Sequence, residues 1–418
     1  MYKIKDIKIE GLWGIKDINL SLNLDINFLI GRNGSGKTTI LNILTSTLNL
    51  DLSGIDSLDF KKIEIKLVDD KKRKKIILEK NLEREIIYEI SKKKYVFSDR
   101  IIRNFSKRNE ILHISRFNRI GEVSELKNEL KNIIDIKLLD TNRLTRNKED
   151  YEREVYEEYN RYIHRGNIIN PVDVKLDFLI KELKTYKLTL KARLESLTAD
   201  FQKEVLELLI YDKDSDNNSS KKMTPDTINQ IENDLREFYK EFNYRKEDVN
   251  KKISGHTSRL KEELGKELAD EDYKTNLVLL TRTQKVLEIV KELKKEKEKI
   301  LLPINLYLEN LNAFMDDKEY SISDEGELNI LLKNRKKSIK SEELSSGEKQ
   351  IVILMTEILL QKNKTNVFIA DEPELSLHIG WQRELVNAIL RLNSEAQIIF
   401  ATHSPDIVNG KEKYIVKI

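Results

Sequence analysis

The 418 residues contain no cysteine. That excludes a disulfide framework and any thiolate metal site, and it suits a reducing compartment. Proline is nearly as scarce, with five residues, and glycine numbers only 14, which excludes low-complexity and collagen-like chains. No apolar run approaches the roughly 18 residues that a membrane-spanning helix needs. The first residues, Met1–Ile9, alternate Lys and Asp with Ile and form no signal-peptide core. Net charge is also missing. Against 75 Lys and Arg stand 72 Asp and Glu, leaving +3, so a nucleic-acid or membrane partner would require a local basic patch. These absences together predict a cytoplasmic chain with no membrane partner.

What is present is a hydrophobic fraction of 39%, ample for a core, and a charged fraction of 35%, which points to much exposed helix. The first third reads as β. Tyr2–Glu10 and Ile15–Leu22 alternate, and Ile26–Ile30 is a short apolar run that ends in a Gly-rich loop. Ile63–Val68, Lys75–Leu78 and Ile86–Ile90 also have strand character, and the run Lys71–Lys75 is expected at a solvated hairpin tip. Between about Tyr151 and Ile300, apolar residues take helical spacing, as in Leu176, Leu179, Ile180 and Leu183. This stretch predicts a helical arm too short for a coiled-coil rod, broken by a polar segment, Asp212–Thr227, before a helix starting at Pro225. Asp212, Asp214 and Asp216 do not form a calcium loop, because Asn217 and Met223 occupy the Gly and Glu positions. After Leu301 the pattern returns to β and then to α/β. Tyr320–Ser323 and Leu328–Leu332 form a hairpin, Gly347–Gln361 a helix, and Val367–Ala370 a buried strand. Gln382–Leu392 is a helix, Gln397–Ala401 a strand and Tyr414–Ile418 an edge strand.

Four segments carry chemistry. Gly31-Arg32-Asn33-Gly34-Ser35-Gly36-Lys37-Thr38 fits the phosphate-binding pattern G-x-x-x-x-G-K-[ST], between an apolar strand and the helix Thr39–Leu48. Its glycines permit backbone N–H groups to face phosphate oxygens, Lys37 reaches the β- and γ-phosphates, and Thr38 offers its hydroxyl to Mg²⁺. Arg32, Asn33, Gly34, Ser35, Gly36, Lys37, Thr38 and Thr39 are therefore the expected ATP contacts. Asn366–Pro373 is an apolar strand that delivers Asp371 to the carboxyl edge of a sheet, where it can orient Mg²⁺, with Glu372 next as general base. Leu344-Ser345-Ser346-Gly347-Glu348-Lys349-Gln350 reads as a serine-capped helix start with an acidic first turn. Phe400-Ala401-Thr402-His403-Ser404-Pro405 places a histidine just past a buried strand, before a serine cap with proline at the first helical position.

Taken in this order, the segments resemble those of ABC-type ATPases, and Asp371-Glu372-Pro373-Glu374-Leu375-Ser376-Leu377-His378 is similar to the OLD-like branch. The resemblance covers about residues 1–150 and 301–418. It implies an α/β fold: an ABC-type P-loop ATPase head, with a mixed β-sheet and an antiparallel β subdomain, interrupted by a helical insertion. The expected division is 1–150 for the N-terminal part of the head, 151–300 for the arm, and 301–418 for the rest of the head. Ser345, Ser346, Gly347 and Glu348 then stand for the family signature, which faces the nucleotide held by a second copy, and His403 stands for the switch histidine that joins Glu372 in catalysis. Asn142, in Thr141–Leu144, is the candidate for the Gln-loop residue and a third metal contact beside Thr38 and Asp371. Trp13 is available as an adenine-stacking aromatic, with a core position as the plainer expectation.

The same resemblance implies ATP and Mg²⁺ as cofactors, a homodimer through composite ATP sites, and a higher homo-oligomer. OLD nucleases continue into a Toprim domain, and this sequence stops at Ile418, so a separate effector is expected. The layout is similar to ATPase subunits of two-component anti-phage systems of the PARIS type, in which a Toprim effector is held until a phage protein triggers release. A Septu-type ATPase with an HNH nuclease, and a RecF/SMC-like ATPase that clamps DNA, are the alternatives. The near-neutral charge disfavours DNA.

Overall fold

The computed structural model describes residues 1–70, 72–81, 85–98, 119–139, 170–208, 225–241, 246–263, 271–361 and 366–418. The described chain divides into two compact units, Met1–Tyr186 with Pro303–Ile418, and Lys187–Leu302.

The first unit is α/β, with three sheets among the described residues. A six-stranded antiparallel sheet is built from β1 (Lys3–Leu12), β2 (Lys16–Ser21), β4 (Lys62–Asp69), β5 (Lys72–Lys80), β6 (Ile86–Ile90) and β7 (Lys93–Phe97), in the order β2-β1-β4-β5-β6-β7. Its strands alternate because one face is buried and the other wet. Ile63, Ile65 and Leu67 point inward from β4, Ile76 and Leu78 from β5, and Tyr88 from β6. The second sheet is wholly parallel, in the order β14-β3-β13-β12-β8. It consists of β3 (Ile26–Ile30), β8 (Asp135–Leu138), β12 (Asn366–Asp371), β13 (Gln397–Ala401) and β14 (Ile415–Lys417). All five residues of β13 are buried, the pattern of a strand covered on both faces. The third sheet is a small antiparallel one of β9 (Lys318–Ile322), β10 (Leu328–Leu332) and β11 (Lys337–Ile339).

Helix α1 (Lys37–Leu48) contributes Ile40, Leu41, Ile43 and Leu44 to one apolar cluster shared by the inner face of the antiparallel sheet and by Val367, Ile369 and Ile399 of the parallel one. Leu126, Leu130 and Ile133 of α3 (Arg119–Ile133) join it, as does Ile55 of the short α2 (Leu52–Ser57). One polar side chain stitches the two sheets together inside this core. The Gln397 carboxamide accepts from the Ile4 amide at 2.8 Å and donates to the Ile4 and Asn23 carbonyls at 2.7 Å each. No main-chain ladder joins β1 to β13, so the amide supplies the partners that a buried peptide requires.

The other helices among the described residues are α4 (Pro171–Glu207), α5 (Pro225–Glu241), α6 (Lys246–Glu263), α7 (Glu271–Phe314), α8 (Ser346–Leu360), α9 (Ile379–Leu392) and α10 (Pro405–Val408). In the second unit, α5 and α6 pair through a polar hub. Glu232 accepts from Arg236 at 2.7 Å and from the buried Thr257 hydroxyl at 3.0 Å, and Arg236 also reaches Asn250 and Ser254. The Arg236 bond is the main reason that the Glu232 carboxyl is held below the usual carboxylate value. No described helix is long and apolar enough to cross a membrane.

Two sequence expectations are corrected. Lys72–Lys75 belong to β5 and not to a hairpin tip: they pair with β4, and Lys75 meets Glu64 at 2.6 Å. The lysines tolerate strand geometry because their outward heads stay in water, and the turn falls at Asp70, whose φ is +46°. The expected return to β after Leu301 is also late, since α7 continues through Pro303 to Phe314. Buried Ile304, Tyr307 and Leu311 recur at helical spacing, and the Tyr307 hydroxyl bonds the buried Thr356 hydroxyl of α8 at 2.9 Å. This packing outweighs the single main-chain bond that Pro303 removes.

Candidate functional site

The parallel sheet aligns the ends of three strands. Leu29 of β3 is level with Ala401 of β13, and Ala401 is level with Asp371 of β12. With strands ~4.8 Å apart, the loop after β3, the loop after β13 and the acid at the end of β12 fall within about 10 Å along one carboxyl edge. Such edges are where open α/β sheets bind ligands.

The loop after β3 is built for close backbone approach. Gly34 and Gly36 have φ of +78° and +103°, which a side chain would resist, and Gly36 is the residue that caps α1. Arg32, Asn33 and Gly34 are exposed, as is Thr38 in the first turn of α1. Lys37 is only 7% exposed; its ammonium lies against the loop's own carbonyls, at 2.9 Å from Gly31 and 3.3 Å from Arg32. Lys16 of β2 pins the loop from outside by donating to the Ser35 carbonyl at 3.0 Å. A helix N-terminus with free N–H groups and two adjacent ammonium groups attracts anionic oxygens.

Trp13 was the expected core tryptophan, and its position differs. It is 40% exposed with φ of +55°, and its indole edge would sit 3.0 Å from a β-carbon added at Gly36. The turn after β1 therefore holds an indole edge beside the phosphate-loop glycine and leaves the residue part-exposed.

Asp371 is exposed at the end of β12. Glu372 follows in the left-handed region, with φ of +47°, and its amide donates to the Ala401 carbonyl at 2.8 Å. A glutamate in that conformation costs on the order of 1 kcal/mol, a strain found where the surrounding structure needs a side chain re-aimed. His403 is exposed two residues past Ala401. Its loop is fixed by Glu374, an acid that motif spacing did not single out: one carboxylate oxygen accepts from the Thr402 hydroxyl and from the His403 and Ser404 amides. Ser404 caps α10 by accepting from the Asp406 amide at 3.1 Å, with Pro405 at the first helical position.

Ser345, Ser346, Gly347 and Glu348 open α8. Ser345 is the cap, and Glu348 accepts from its amide at 2.8 Å, completing a capping box. The second Glu348 oxygen accepts from Lys318 of β9 at 2.7 Å, and both side chains are about 12% exposed or less. Burial raises the Glu348 carboxyl, but the bonds from Lys318 and Ser345 outweigh it and hold the group below the usual carboxylate value. The Glu348 side chain is thus committed inside its own chain, which leaves exposed Ser345 and Ser346 and the helix amides to meet anything outside. Gln350 ties the helix to the loop after β12 by donating to the Pro373 carbonyl at 3.4 Å.

Asn142 lies outside the described residues. Among those described, no cluster of three His, Cys, Asp or Glu could hold a metal ion alone. The donors fit Mg²⁺ all the same, since an exposed Thr38 hydroxyl and an exposed Asp371 carboxylate suit an ion that keeps its waters and takes substrate phosphates as ligands.

Comparison with solved structures pairs the chain with SMC heads. One is the Smc head domain with an extended coiled coil bound to the C-terminal domain of ScpA from Pyrococcus furiosus, at 14% identity and TM-score 0.45, covering 98% of this chain and 92% of that one. Another is the SMC head domain from Thermotoga maritima, at 10% identity and TM-score 0.42, covering 97% and 91%. No curated protein sequence matches the chain. A family model described as AAA ATPase domain matches residues 2–408, so both halves of the phosphate-loop edge and everything between them fall within one family. The chain belongs to the AAA ATPase domain family.

Proposed function

We propose that the protein binds Mg²⁺·ATP at this edge and hydrolyses it slowly when two copies close on each other. The observation that carries this reading is that β3, β12 and β13 end level on one parallel sheet. The loop that leads to Lys37, the acids Asp371 and Glu372, and the loop that holds His403 therefore leave the same edge. The loop 31–38 cradles the phosphates, and Lys37 leaves the Gly31 and Arg32 carbonyls to pair with the β- and γ-phosphates. Trp13 offers its indole to the base. Thr38 and Asp371 hold the Mg²⁺, which when bound neutralises phosphate charge. Asn142 remains a proposed third contact. Glu372 accepts a proton from the attacking water, and His403 donates to the γ-phosphate from the neighbouring strand end. The exposed serines and amides at the start of α8 approach the γ-phosphate of the second copy, so each site is complete only in the dimer.

Nucleotide trapping tests this. Glu372→Gln should bind ATP, fail to turn it over, and run as a dimer on a sizing column only with ATP. Lys37→Ala should lose ATP binding and remain apart. Normal hydrolysis by Glu372→Gln would remove Glu372 from the role of base.

What the switch controls rests on the resemblance to OLD-like ATPases. It supports a sensor and scaffold of a bacterial anti-phage system, forming a larger homo-oligomer that holds a separate Toprim-type effector until a phage protein releases it. The second reading is a DNA clamp of the RecF/SMC kind, or a Septu-type ATPase with an HNH partner. A net charge of +3 on 418 residues favours the scaffold over the clamp, because a clamp neutralises many phosphates. Tight duplex binding with a steep salt dependence, enhanced by ATP, would favour the clamp.

A further inference from the structure

Three donors converge on a single oxygen of Glu374. Its Oε1 accepts from the Thr402 hydroxyl at 2.7 Å, the His403 amide at 3.0 Å and the Ser404 amide at 3.2 Å, while Oε2 is buried with no hydrogen-bond partner. The arrangement closes on itself. The Ser404 amide also reaches the Thr402 hydroxyl at 2.9 Å, and the Ser404 hydroxyl donates to Gln382 of α9 at 2.6 Å. Gln382 returns through its amide nitrogen to the carbonyls of Leu377 at 2.9 Å and Glu374 at 3.4 Å. One carboxylate therefore locks the loop that carries His403 to the loop that carries Glu372, two residues before it. Bonds to an ionised acceptor are roughly twice as strong as neutral ones; those from Thr402 and Ser404 are part-buried.

We propose that Glu374 is a positioning residue for hydrolysis: it fixes the His403 main chain relative to Glu372 so that both side chains meet the same γ-phosphate and water. The inference rests on the ATPase reading above and deepens it. A loop cap needed only for folding would lower stability when removed and leave the rate per folded molecule unchanged. A positioning residue would lower kcat, because a displacement of about 1 Å costs up to about a hundredfold in rate.

The test compares ATP turnover, KM and melting temperature for the full chain carrying Glu374→Ala, Glu374→Gln, Thr402→Val, His403→Ala and the Glu374→Ala/His403→Ala pair. Glu374→Ala should lower kcat about tenfold or more, with KM within about threefold of the parent, as expected for an interaction made in the transition state. Glu374→Gln, which keeps an acceptor oxygen, should recover most of that loss. Thr402→Val, which removes one of the three donors, should lower kcat in the same direction by a few-fold, about 1 kcal/mol for one bond, and it decides the matter if the alanine variant does not fold. The double variant should be no slower than His403→Ala. A normal kcat for Glu374→Ala and Thr402→Val beside a slow His403→Ala overturns the proposal alone, as do multiplying losses in the double variant or a glutamine variant no better than alanine. A normal rate for His403→Ala overturns the role given to that histidine and this proposal with it.

Discussion

A β-carbon placed on Gly347 would come within 2.6 Å of the Ser376 carbonyl oxygen, so the start of α8 and the loop after β12 touch backbone to backbone. Ser376 itself sits at φ of +67°, which turns that carbonyl toward the helix. Alanine is the better helix former by about 1 kcal/mol, yet Gly347→Ala must push one segment away from the other. We expect a net loss of about 1–3 kcal/mol, the usual cost of overpacking a tight contact. ATP binding to the phosphate loop should persist while ATP-dependent association weakens. Denaturant melts and sizing with ATP check the two parts separately.

The pairing of Lys318 with Glu348 predicts a second behaviour. Lys318→Met would leave a buried carboxylate without its partner, at a cost of about 3 kcal/mol. Adding Glu348→Gln should restore most of it, since the capping amide can still bond. Melting curves of the two single variants and the double one measure the coupling.

The same pair fixes a pH signature. Glu348 is held below its ordinary value of 4.5, so its contribution is full above that value and is lost as pH falls through the lower folded value. Burial lowers the Lys318 ammonium, but bonds to Glu348 and Asp317 outweigh this and raise it above 10.5; its contribution is full below 10.5 and fades as pH rises through the folded value. The stability difference between the parent and Glu348→Gln should be flat between pH 5 and 10 (about half a unit inside those ordinary values) and shrink on acidification. A difference that grew in acid would contradict the assignment.

Much of this architecture could be read from residue order. Ile26–Ile30, the glycines of 31–36 and Lys37 announce a strand, a loop and a helix, because apolar period and glycine content are local signals. Ser345 with Glu348 likewise encodes its own cap. What could not be read depends on partners far along the chain. Lys72–Lys75 look like a turn until β4 is beside them. The chain after Leu301 looks like a return to β until Tyr307 meets Thr356. Glu374 serves residues 28 to 30 positions away, and Lys318 reaches Glu348 across 30, so neither carries a spacing signature. Trp13 is the reverse case: its residue type suggested the core, and the fold leaves it 40% exposed beside Gly36.

That contact yields a prediction about nucleotide affinity. Stacking of a base on an aromatic ring contributes about 1–3 kcal/mol. Trp13→Ala should therefore weaken ATP binding by about 5- to 150-fold, from the same range, and leave kcat at saturation unchanged. Trp13→Phe should recover most of the affinity. Equal losses for the adenine nucleotide and for inorganic triphosphate would assign the effect to a disturbed Gly36 instead of to the base.

Glu372 carries the strain and, in the proposed mechanism, the base, and the two can be separated. At φ of +47° it occupies a region that asparagine enters more readily than glutamate. Glu372→Gln keeps the strain and removes the base, so turnover should stop and melting should be unchanged. Glu372→Asn removes the base and relaxes the backbone, so turnover should stop while stability rises by about 0.5–1 kcal/mol, a fraction of the cost of a strained left-handed residue. Such a gain would mean that the site holds an unfavourable backbone for the sake of where the carboxylate points. Equal melting temperatures for the two variants would show that the turn costs nothing and that no strain is held at this residue.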